Sequence, residues 1–391
     1  MQRCTIFTMR VLVDCTQITR NKAGIGVYAL NLIRGLRKLR RDDFKLWILV
    51  QSDDPDFAFE EDGTYVIRVQ SRFFRSLPLR FLMEQFYVPW LLRKHKIDVV
   101  HSLHYSFPIF KTRARKVVTI CDMTFFIMPE VHEPVKIAYF RSFMRASSHL
   151  ADSLIFISQS TKKDWKHYFP KSTKPGFVVT LGKSLAFRPD IVPCEVDQVI
   201  RKYGLTRPYV LYIGTIEPRK NLPRLISAFA QVANQFTSVT LVICGKKGWG
   251  YAEVFEASKS LNIESRVIFT GFVDEDDKPH LLAGAEVFAY PSLYEGFGIP
   301  VLEALACGVP TLTSAISSIP EVAGDAAVLV NPESATELAE QLARLLADPE
   351  LRKSLSALAL KQAAQFTWER TASETLSVYR ALVSFETSKS S

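Results

Sequence analysis

The sequence contains no apolar run long enough to cross a membrane. None of its runs approaches the ~18 consecutive apolar residues that a spanning helix needs. The first residues lead directly into a strand-like segment, 10–14, without the features of a secretory signal, and Met9 offers a second possible start. We therefore expect a cytoplasmic protein, either free or bound peripherally at the inner face of the membrane.

Cysteine is scarce and its spacing is uninformative. The chain has 6 cysteines in 391 residues, and no two of them form a CxxC pair. Most lie in apolar segments, which indicates reduced thiols in the cytosol and excludes a disulfide scaffold or a zinc ribbon.

Basic residues are scarce in the second half of the chain compared with the first. Residues 1–200 carry 31 Lys and Arg against 19 Asp and Glu, a net charge of +12, whereas residues 201–391 carry 18 against 21, a net charge of −3. A basic half can attract nucleic acid, an anionic membrane or an acidic acceptor. No nucleic-acid motif accompanies it, so we expect no nucleic acid as a partner, and a generally basic solvated surface remains an alternative.

Apolar strand-like runs alternate with helical segments along the whole chain, which predicts parallel sheets covered by helices on both faces. The predicted strands are 10–14, 46–50, 65–69, 97–101, 116–120 and 153–157, then 209–214, 239–245, 266–271, 286–290, a strand near 311 and 326–330. The pattern restarts after the polar, proline-containing stretch 189–195, which we take as a linker. The fold class is therefore α/β, with two Rossmann-like doubly wound domains.

The stretch 290–310, YPSLYEGFGIPVLEALACGVP, predicts a strand, a glycine loop and a helix that begins near Pro300. The exposed N–H groups at such a helix start form an anion site. Carboxylates flank it at Glu295 and Glu303, which points to recognition of hydroxyls beside an anion. In a second stretch, 213–222, adjacent Arg219 and Lys220 precede a helix; they suit a diphosphate, although a solvated charge pair is the alternative.

The frames YEGFGxPxLEALAxGxP and GTxEPRKN resemble the signatures of retaining, nucleotide-sugar-dependent glycosyltransferases of family 4, and the match extends over the strand and helix pattern of the whole chain. The resemblance implies the GT-B architecture: an acceptor-binding domain over 1–190, a donor domain over 196–366, and a last helix, 367–383, that packs back on the first domain. It also implies catalysis without a metal or other cofactor. The residues of both frames most resemble those of mannosyl- and rhamnosyltransferases of polysaccharide biosynthesis.

The resemblance further implies roles for individual residues. The catalytic group would be Arg219, Lys220, Glu295 and Asp122. The donor-binding group would be Gly24, Gly26, Gly214, Val273, Glu295, Phe297, Gly298, Ile299 and Glu303. His101, His104 and Tyr105 lie at or just after the end of the strand predicted at 97–101 and would line the acceptor side together with Cys121; the alternative is that these histidines are only hydrogen-bonded within the fold.

One position departs from the family pattern. Relatives usually have His-Asp after the strand predicted at 116–120, in a frame like TIHDLSF, whereas this chain has Cys121-Asp122. A thiol is a poor hydrogen-bonding group and cannot replace an imidazole. Either His101 or His104 substitutes, or the contact is dispensable, or the donor differs.

Two further segments have alternative interpretations. The basic, aromatic stretch 72–95 predicts an amphipathic helix that lies either on an anionic membrane or on the sheet. The acidic run 274–277 contains a DxD pattern known from metal–diphosphate sites, but it directly precedes a helix, where carboxylates cap N–H groups, so we predict no metal there.

These observations predict an enzyme that moves a hexose from a GDP- or UDP-linked sugar to a glycan or lipid-linked oligosaccharide, with GDP-mannose as the first choice of donor. One alternative is a sugar-nucleotide epimerase of the same fold, which would convert the donor without an acceptor. Another, suggested by Cys121, is a catalytically silent sugar-nucleotide-binding protein, which would bind the donor without transfer.

Overall fold

The structure is a computed structural model that describes residues 8–18, 24–39, 43–57, 63–71, 73 and 76–387. Part of the predicted basic helix (Arg72, Phe74 and Arg75) lies outside this description, as do residues 1–7, 19–23, 40–42, 58–62 and 388–391. Among the described residues, no helix combines the length and apolar character needed to span a membrane.

The strands form two sheets in which every pairing is parallel. The first sheet contains β1 (Met9–Asp14), β2 (Phe44–Gln51), β3 (Tyr65–Val69), β4 (Val99–Ser102), β5 (Arg115–Ile120), β6 (Ser153–Phe156) and β7 (Gly176–Val178). The second contains β8 (Tyr209–Ile213), β9 (Thr240–Cys244), β10 (Val267–Gly271), β11 (Val287–Tyr290), β12 (Thr311–Ser314) and β13 (Val328–Val330). Their central strands are apolar runs because both faces are buried.

Helices connect most of the strands, as the alternating pattern predicts. They are α1 (Ile25–Lys38), α2 (Leu77–Leu82), α3 (Val88–Lys94), α4 (Thr124–Ile127), α5 (Pro134–Leu150), α6 (Gln159–Tyr168), α7 (Pro193–Lys202), α8 (Leu222–Ala233), α9 (Ala252–Ser260), α10 (Lys278–Ala283), α11 (Ile299–Ala306), α12 (Ile319–Ala323), α13 (Ala335–Ala347), α14 (Pro349–Ala363) and α15 (Trp368–Thr387). A π-helical turn, Met83–Tyr87, joins α2 to α3.

Each sheet is doubly wound, which confirms the predicted fold class. The strand order is β3-β2-β1-β4-β5-β6-β7 in the first sheet and β10-β9-β8-β11-β12-β13 in the second. The order therefore reverses between β1 and β4, and again between β8 and β11. Ligands of such sheets bind at the carboxyl ends of the strands beside this switch point.

The chain divides into two compact units, Met1–Gly182 with Thr367–Ser391, and Lys183–Phe366. The last helix, α15, thus belongs to the first unit. There Cβ of Ala372 lies so close to Gly35 of α1 that a Cβ added at Gly35 would approach it to 2.7 Å. The Thr371 hydroxyl also donates to the Thr180 carbonyl at 2.7 Å.

The division falls before the predicted linker 189–195. Residues 193–195 of that stretch are the first turn of α7. Pro193 occupies a position in the first turn where the missing N–H costs nothing, so this proline starts a helix and does not mark a linker.

Candidate active site

The two predicted cations lie at the switch point of the second sheet. β8 and β11 are neighbours, and Arg219 and Lys220 follow β8 in a short 3₁₀ turn, Pro218–Lys220. Asn221 then adopts φ 61°, and its side-chain amide donates to the carbonyls of Pro291 and Pro332 at 3.1 and 2.6 Å. This anchor fixes the turn against the loop that follows β11.

Lys220 is buried among oxygen atoms of that loop. Its ammonium donates to Glu295 Oε1 at 2.6 Å and to the Tyr290 hydroxyl at 2.7 Å. Burial lowers the pKa of Lys220, and the charge of Glu295 opposes the shift. The ammonium is therefore held in place without a shell of water, as a preorganised cation should be.

Arg219 bridges two carboxylates. Its Nη1 lies 3.0 Å from Glu295 Oε2, and its Nη2 donates to Glu217 Oε1 at 2.7 Å. Nη1 also donates to the Tyr294 carbonyl at 2.6 Å, so the guanidinium plane is fixed. Two cations and two carboxylates thus form one network on the second unit.

Glu295 is the centre of this network and is only 8% exposed. Burial alone would favour its neutral form, but the charges of Arg219 and Lys220 outweigh burial and lower the pKa of Glu295 to about 2. The hydroxyls of Ser292 and Tyr290 also donate to Oε1, at 2.7 and 3.1 Å. Glu295 is therefore ionised throughout the physiological range.

Sequence reasoning missed the serines that hold the backbone of Glu295. Ser317 Oγ accepts from the Glu295 N–H at 3.1 Å, and Ser318 Oγ donates to the Glu295 carbonyl at 2.8 Å. Ser317 has φ 56°, a left-handed conformation that a non-glycine residue adopts rarely. The strained backbone of this loop after β12 is visible only in the structure. No motif in the sequence marks the two serines.

Helix α11 begins after Gly298, as the glycine loop predicts. Gly298 has φ 100°, and a Cβ there would approach Ile319 Cδ1 to 2.6 Å. The side chain of Phe297 is buried and packs edge-on against Phe366, with ring centroids 5.8 Å apart. Within the described residues, the N–H groups of Phe297, Gly298 and Ile299 donate no hydrogen bond, so they are available to an anion.

Glu303 lies one turn into α11, and within the described residues its carboxylate makes no hydrogen bond or ion pair. Burial raises the pKa of Glu303 to about 8, partly opposed by the charge of Lys278. A carboxyl group without partners at this position suits recognition of hydroxyls.

We expect the Glu303→Gln variant to be more stable than the wild type, by a margin that grows with pH. The folded-state pKa of about 8 lies above the ordinary value of 4.5, so ionisation destabilises the fold progressively between these two values. Thermal unfolding at pH 5, 6, 7 and 8 measures the difference. A margin independent of pH would contradict the raised pKa.

The other predicted donor residues differ in accessibility. Gly214 follows β8, where a Cβ would approach the Tyr212 hydroxyl to 2.6 Å, so no larger residue fits. Val273 is buried just beyond β10, whereas its neighbour Phe272 is 64% exposed.

The acidic run 274–277 forms ion pairs and does not cap α10, which corrects the predicted reason for its position. The Asp277 side chain makes no cap hydrogen bond; it accepts from Lys202 at 2.6 Å and from the Tyr203 hydroxyl at 2.7 Å. Asp274 accepts from the same lysine at 3.1 Å. In the part of the chain that the structure describes, no group of three or more His, Cys, Asp or Glu side chains could hold a metal.

In the first unit, Gly24 precedes α1 and is exposed, and Gly26 is buried within that helix. Asp122 accepts from the Thr124 N–H at 2.9 Å and from its hydroxyl at 2.6 Å, so it holds the first residue of the short helix α4. The Cys121 thiol donates to the Leu103 carbonyl at 3.6 Å, and burial raises its pKa, so it remains neutral.

His101 and Tyr105 were predicted to line the acceptor side, but both belong to the core. His101 is fully buried, and its ring nitrogens bond the Tyr379 hydroxyl at 2.6 Å and the Thr119 hydroxyl at 2.7 Å. Tyr105 is 1% exposed. His104 is less buried, its Nδ1 has no partner among the described residues, and burial lowers its pKa to about 3.

Sequence reasoning also missed a buried polar cluster, defined here as Asp14, Gln17, Arg80, Glu84 and Ser106. Arg80 donates to Glu84 at 2.8 Å and to Ser106 Oγ at 2.9 Å, and Gln17 donates to the same Oγ at 2.6 Å. Asp14 ends β1 and Ser106 follows β4, so the cluster lies at the switch point of the first sheet. Asp14 Oδ2 and Gln17 Oε1 are buried acceptors without a partner among the described residues.

Two doubly wound units, one of which holds a buried cation–carboxylate network at its switch point, define a glycosyltransferase of the GT-B architecture. The chain belongs to glycosyltransferase family 4: the family model "Glycosyltransferase Family 4" matches residues 23–180, and "Glycosyl transferases group 1" matches residues 196–362.

Curated relatives place the chain among hexosyltransferases. It is 30% identical over 385 residues to O-antigen chain mannosyltransferase B of Escherichia coli, which covers 96% of this chain and 100% of the relative. It is 32% identical over 227 residues to the serotype-specific mannosyltransferase WbdA of the same species, but this match covers 57% of this chain and only 28% of the relative. Sucrose-phosphate synthase from Thermosynechococcus elongatus shares the fold, with a TM-score of 0.76, 20% identity, and coverage of 96% and 99% of the two chains.

Proposed function

We propose that the protein is a retaining, metal-independent mannosyltransferase that transfers mannose from GDP-mannose to a hydroxyl of a glycan or lipid-linked oligosaccharide. The observation that carries this proposal is the buried network of Arg219, Lys220 and Glu295 at the carboxyl ends of β8 and β11. The names of the mannosyltransferase relatives support mannose as the transferred sugar.

The two cations would bind the diphosphate of the donor. The donor diphosphate competes with Glu295 for the same guanidinium and ammonium groups, which lie 3.0 and 2.6 Å from its two carboxylate oxygens. When the cations turn to phosphate, Glu295 is free to accept a hydrogen bond from a hydroxyl of the sugar. Glu303 would accept from the ribose hydroxyls, and the N–H groups at the start of α11 would face phosphate or sugar oxygens.

Transfer would break the bond between the anomeric carbon and the diphosphate oxygen, whose electron pair stays on the diphosphate. Arg219 and Lys220 stabilise the charge that develops there. The acceptor oxygen would attack the same face of the sugar, and the departing oxygen would take its proton. This scheme needs no separate base and retains the anomeric configuration.

The polar cluster of the first unit would bind the acceptor. A carboxylate oxygen of Asp14 and the amide oxygen of Gln17 are buried acceptors, and sugar hydroxyls are donors. Asp122 and His104 follow neighbouring strands of the same sheet and would contribute to the same side.

A thermal-shift panel of GDP, UDP, and their mannose and glucose conjugates, run with EDTA, tests the donor. Binding to the folded state alone raises the melting temperature with affinity, so GDP and GDP-mannose should give the largest shifts. A larger shift with UDP-sugars would refute the donor, and a shift that requires a divalent ion would refute metal independence.

Incubation of GDP-mannose without an acceptor tests the epimerase alternative, because an epimerase would release an epimer of the donor. NMR of the transfer product reports its anomeric configuration and so tests retention.

A further inference from the structure

Tyr290 ends β11 beside the candidate active site, and it is only 1% exposed. Its ring stacks on the rings of Tyr212 and Phe288, with centroids 5.5 and 5.8 Å away and interplanar angles of 10° and 15°. Its carbonyl accepts a hydrogen bond from the Thr313 hydroxyl at 2.7 Å, which fixes its backbone against β12. The close-packed core of the second sheet therefore determines where the Tyr290 hydroxyl lies.

This hydroxyl joins the two partners of the central ion pair. It accepts a hydrogen bond from the Lys220 ammonium at 2.7 Å and donates one to Glu295 Oε1 at 3.1 Å. Burial raises the pKa of Tyr290 well above its ordinary value, so the hydroxyl keeps the proton that it donates. A phenolic hydroxyl can serve both partners at once because it carries one proton and can also accept.

The Lys220 ammonium has three N–H groups. Two of them are directed at Glu295 Oε1 and the Tyr290 hydroxyl, and among the described residues the ammonium donates no third hydrogen bond. A diphosphate that takes the place of Glu295 would compete for the ammonium as one anion with another. The tyrosine hydroxyl is neutral and is held by its packed ring, so its contact with the ammonium can persist when the carboxylate is displaced.

We propose that Tyr290 is a positioning residue for transfer: its hydroxyl holds the Lys220 ammonium in place when the donor diphosphate displaces Glu295. This role rests on the proposed function, because it requires a diphosphate at Lys220. The hydroxyl keeps the ammonium directed at the oxygen on which negative charge develops, and it acts through Lys220 without touching the substrate.

Nucleotide binding to the Tyr290→Phe variant tests this role without turnover. The ligands are GDP with GDP-mannose, or UDP with UDP-glucose, whichever pair gives the larger thermal shift, and titration calorimetry gives each Kd. The free nucleoside diphosphate carries the charge that develops on the leaving oxygen during transfer, whereas the sugar nucleotide does not. Tyr290→Phe should therefore weaken binding of the nucleoside diphosphate about tenfold and binding of the sugar nucleotide less.

The matched control is Tyr209→Phe. Tyr209 begins β8, is fully buried, and donates its hydroxyl to the Leu281 carbonyl at 2.7 Å. Each substitution removes one buried hydroxyl and keeps the ring, so thermal unfolding should show a similar loss of stability in the two variants. Only Tyr290→Phe should alter nucleotide binding.

The rate of nucleoside diphosphate release shows whether the effect passes through Lys220. In Tyr290→Phe, kcat should fall about tenfold with little change in KM for the sugar nucleotide, because the positioned charge matters most in the transition state. Added to Lys220→Met, the same substitution should lower kcat no further, because the group that it positions is absent.

Several results would overturn the role of Tyr290: unchanged nucleotide binding and kcat in Tyr290→Phe, equal effects of Tyr290→Phe and Tyr209→Phe, or a further loss of kcat in the double variant. Loss of cooperative unfolding in Tyr290→Phe but not in Tyr209→Phe would show that the hydroxyl serves the fold, and would overturn it too. A wild type that binds none of these nucleotides would instead overturn the proposed function itself.

Discussion

Replacing Lys220 with methionine lowers the rate of glycosyl transfer by about 10²- to 10³-fold, the usual cost of losing one preorganised group that stabilises developing charge. Methionine keeps most of the side-chain volume at this buried position but removes the ammonium that lies 2.6 Å from Glu295. The measurement is release of nucleoside diphosphate from whichever sugar nucleotide stabilises the protein most.

The matched control is Lys259→Met, which changes a lysine that is 63% exposed on α9 of the same unit. It should leave the rate unchanged. An undiminished rate in Lys220→Met would exclude this lysine from catalysis. If Lys220→Met does not unfold cooperatively, Lys220→Arg takes its place in the test. This variant retains the charge and should recover part of the rate.

The second large effect concerns stability. Glu295→Gln removes the carboxylate that pairs with both Arg219 and Lys220, and it leaves the buried ammonium without its counter-ion. Breaking a buried pair in this way costs about 3–5 kcal/mol of the free energy of unfolding. Urea unfolding, followed by a signal from the second unit, measures the loss.

The pH dependence identifies the cause. The folded-state pKa of Glu295, about 2, lies below its ordinary value of 4.5, so the stabilisation is complete above the ordinary value and is lost as the pH falls toward 2. The difference between wild type and variant should therefore narrow in that window. The control variant Glu340→Gln changes an exposed glutamate of α13 and should leave the free energy of unfolding unchanged. An equal loss in both variants would show that the network does not stabilise the fold.

The strands were predictable because central parallel strands are continuous apolar runs that end at turns. β5, for example, covers Arg115–Ile120, where the sequence predicts 116–120. β7 was missed because Gly176–Val178 is a three-residue edge strand with only partial burial, which leaves no apolar run to recognise. The other edge strand of this sheet, β3, is also only partly buried, but its five residues were enough for the sequence to predict it.

The candidate site was predictable as a set of residues but not as a network. The motifs mark Arg219, Lys220 and Glu295 individually, yet Lys220 and Glu295 are 75 residues apart, and nothing local reveals that one carboxylate pairs with both cations. The prediction that His101 lines the acceptor side was wrong for a related reason. A polar residue at a strand end usually faces solvent, but here Tyr379, 278 residues further along the chain, covers it.

The return of α15 to the first unit determines the order in which this protein can be completed during synthesis. Lys183–Phe366 is contiguous, so this unit has been synthesised in full before the last helix is translated. Residues 1–182 have left the ribosome long before, but His101, Gly35 and Thr180 still lack the partners that Tyr379, Ala372 and Thr371 supply. The domain translated first is therefore the one finished last, and nascent chains that stop short of α15 expose an unfinished core to chaperones and proteases.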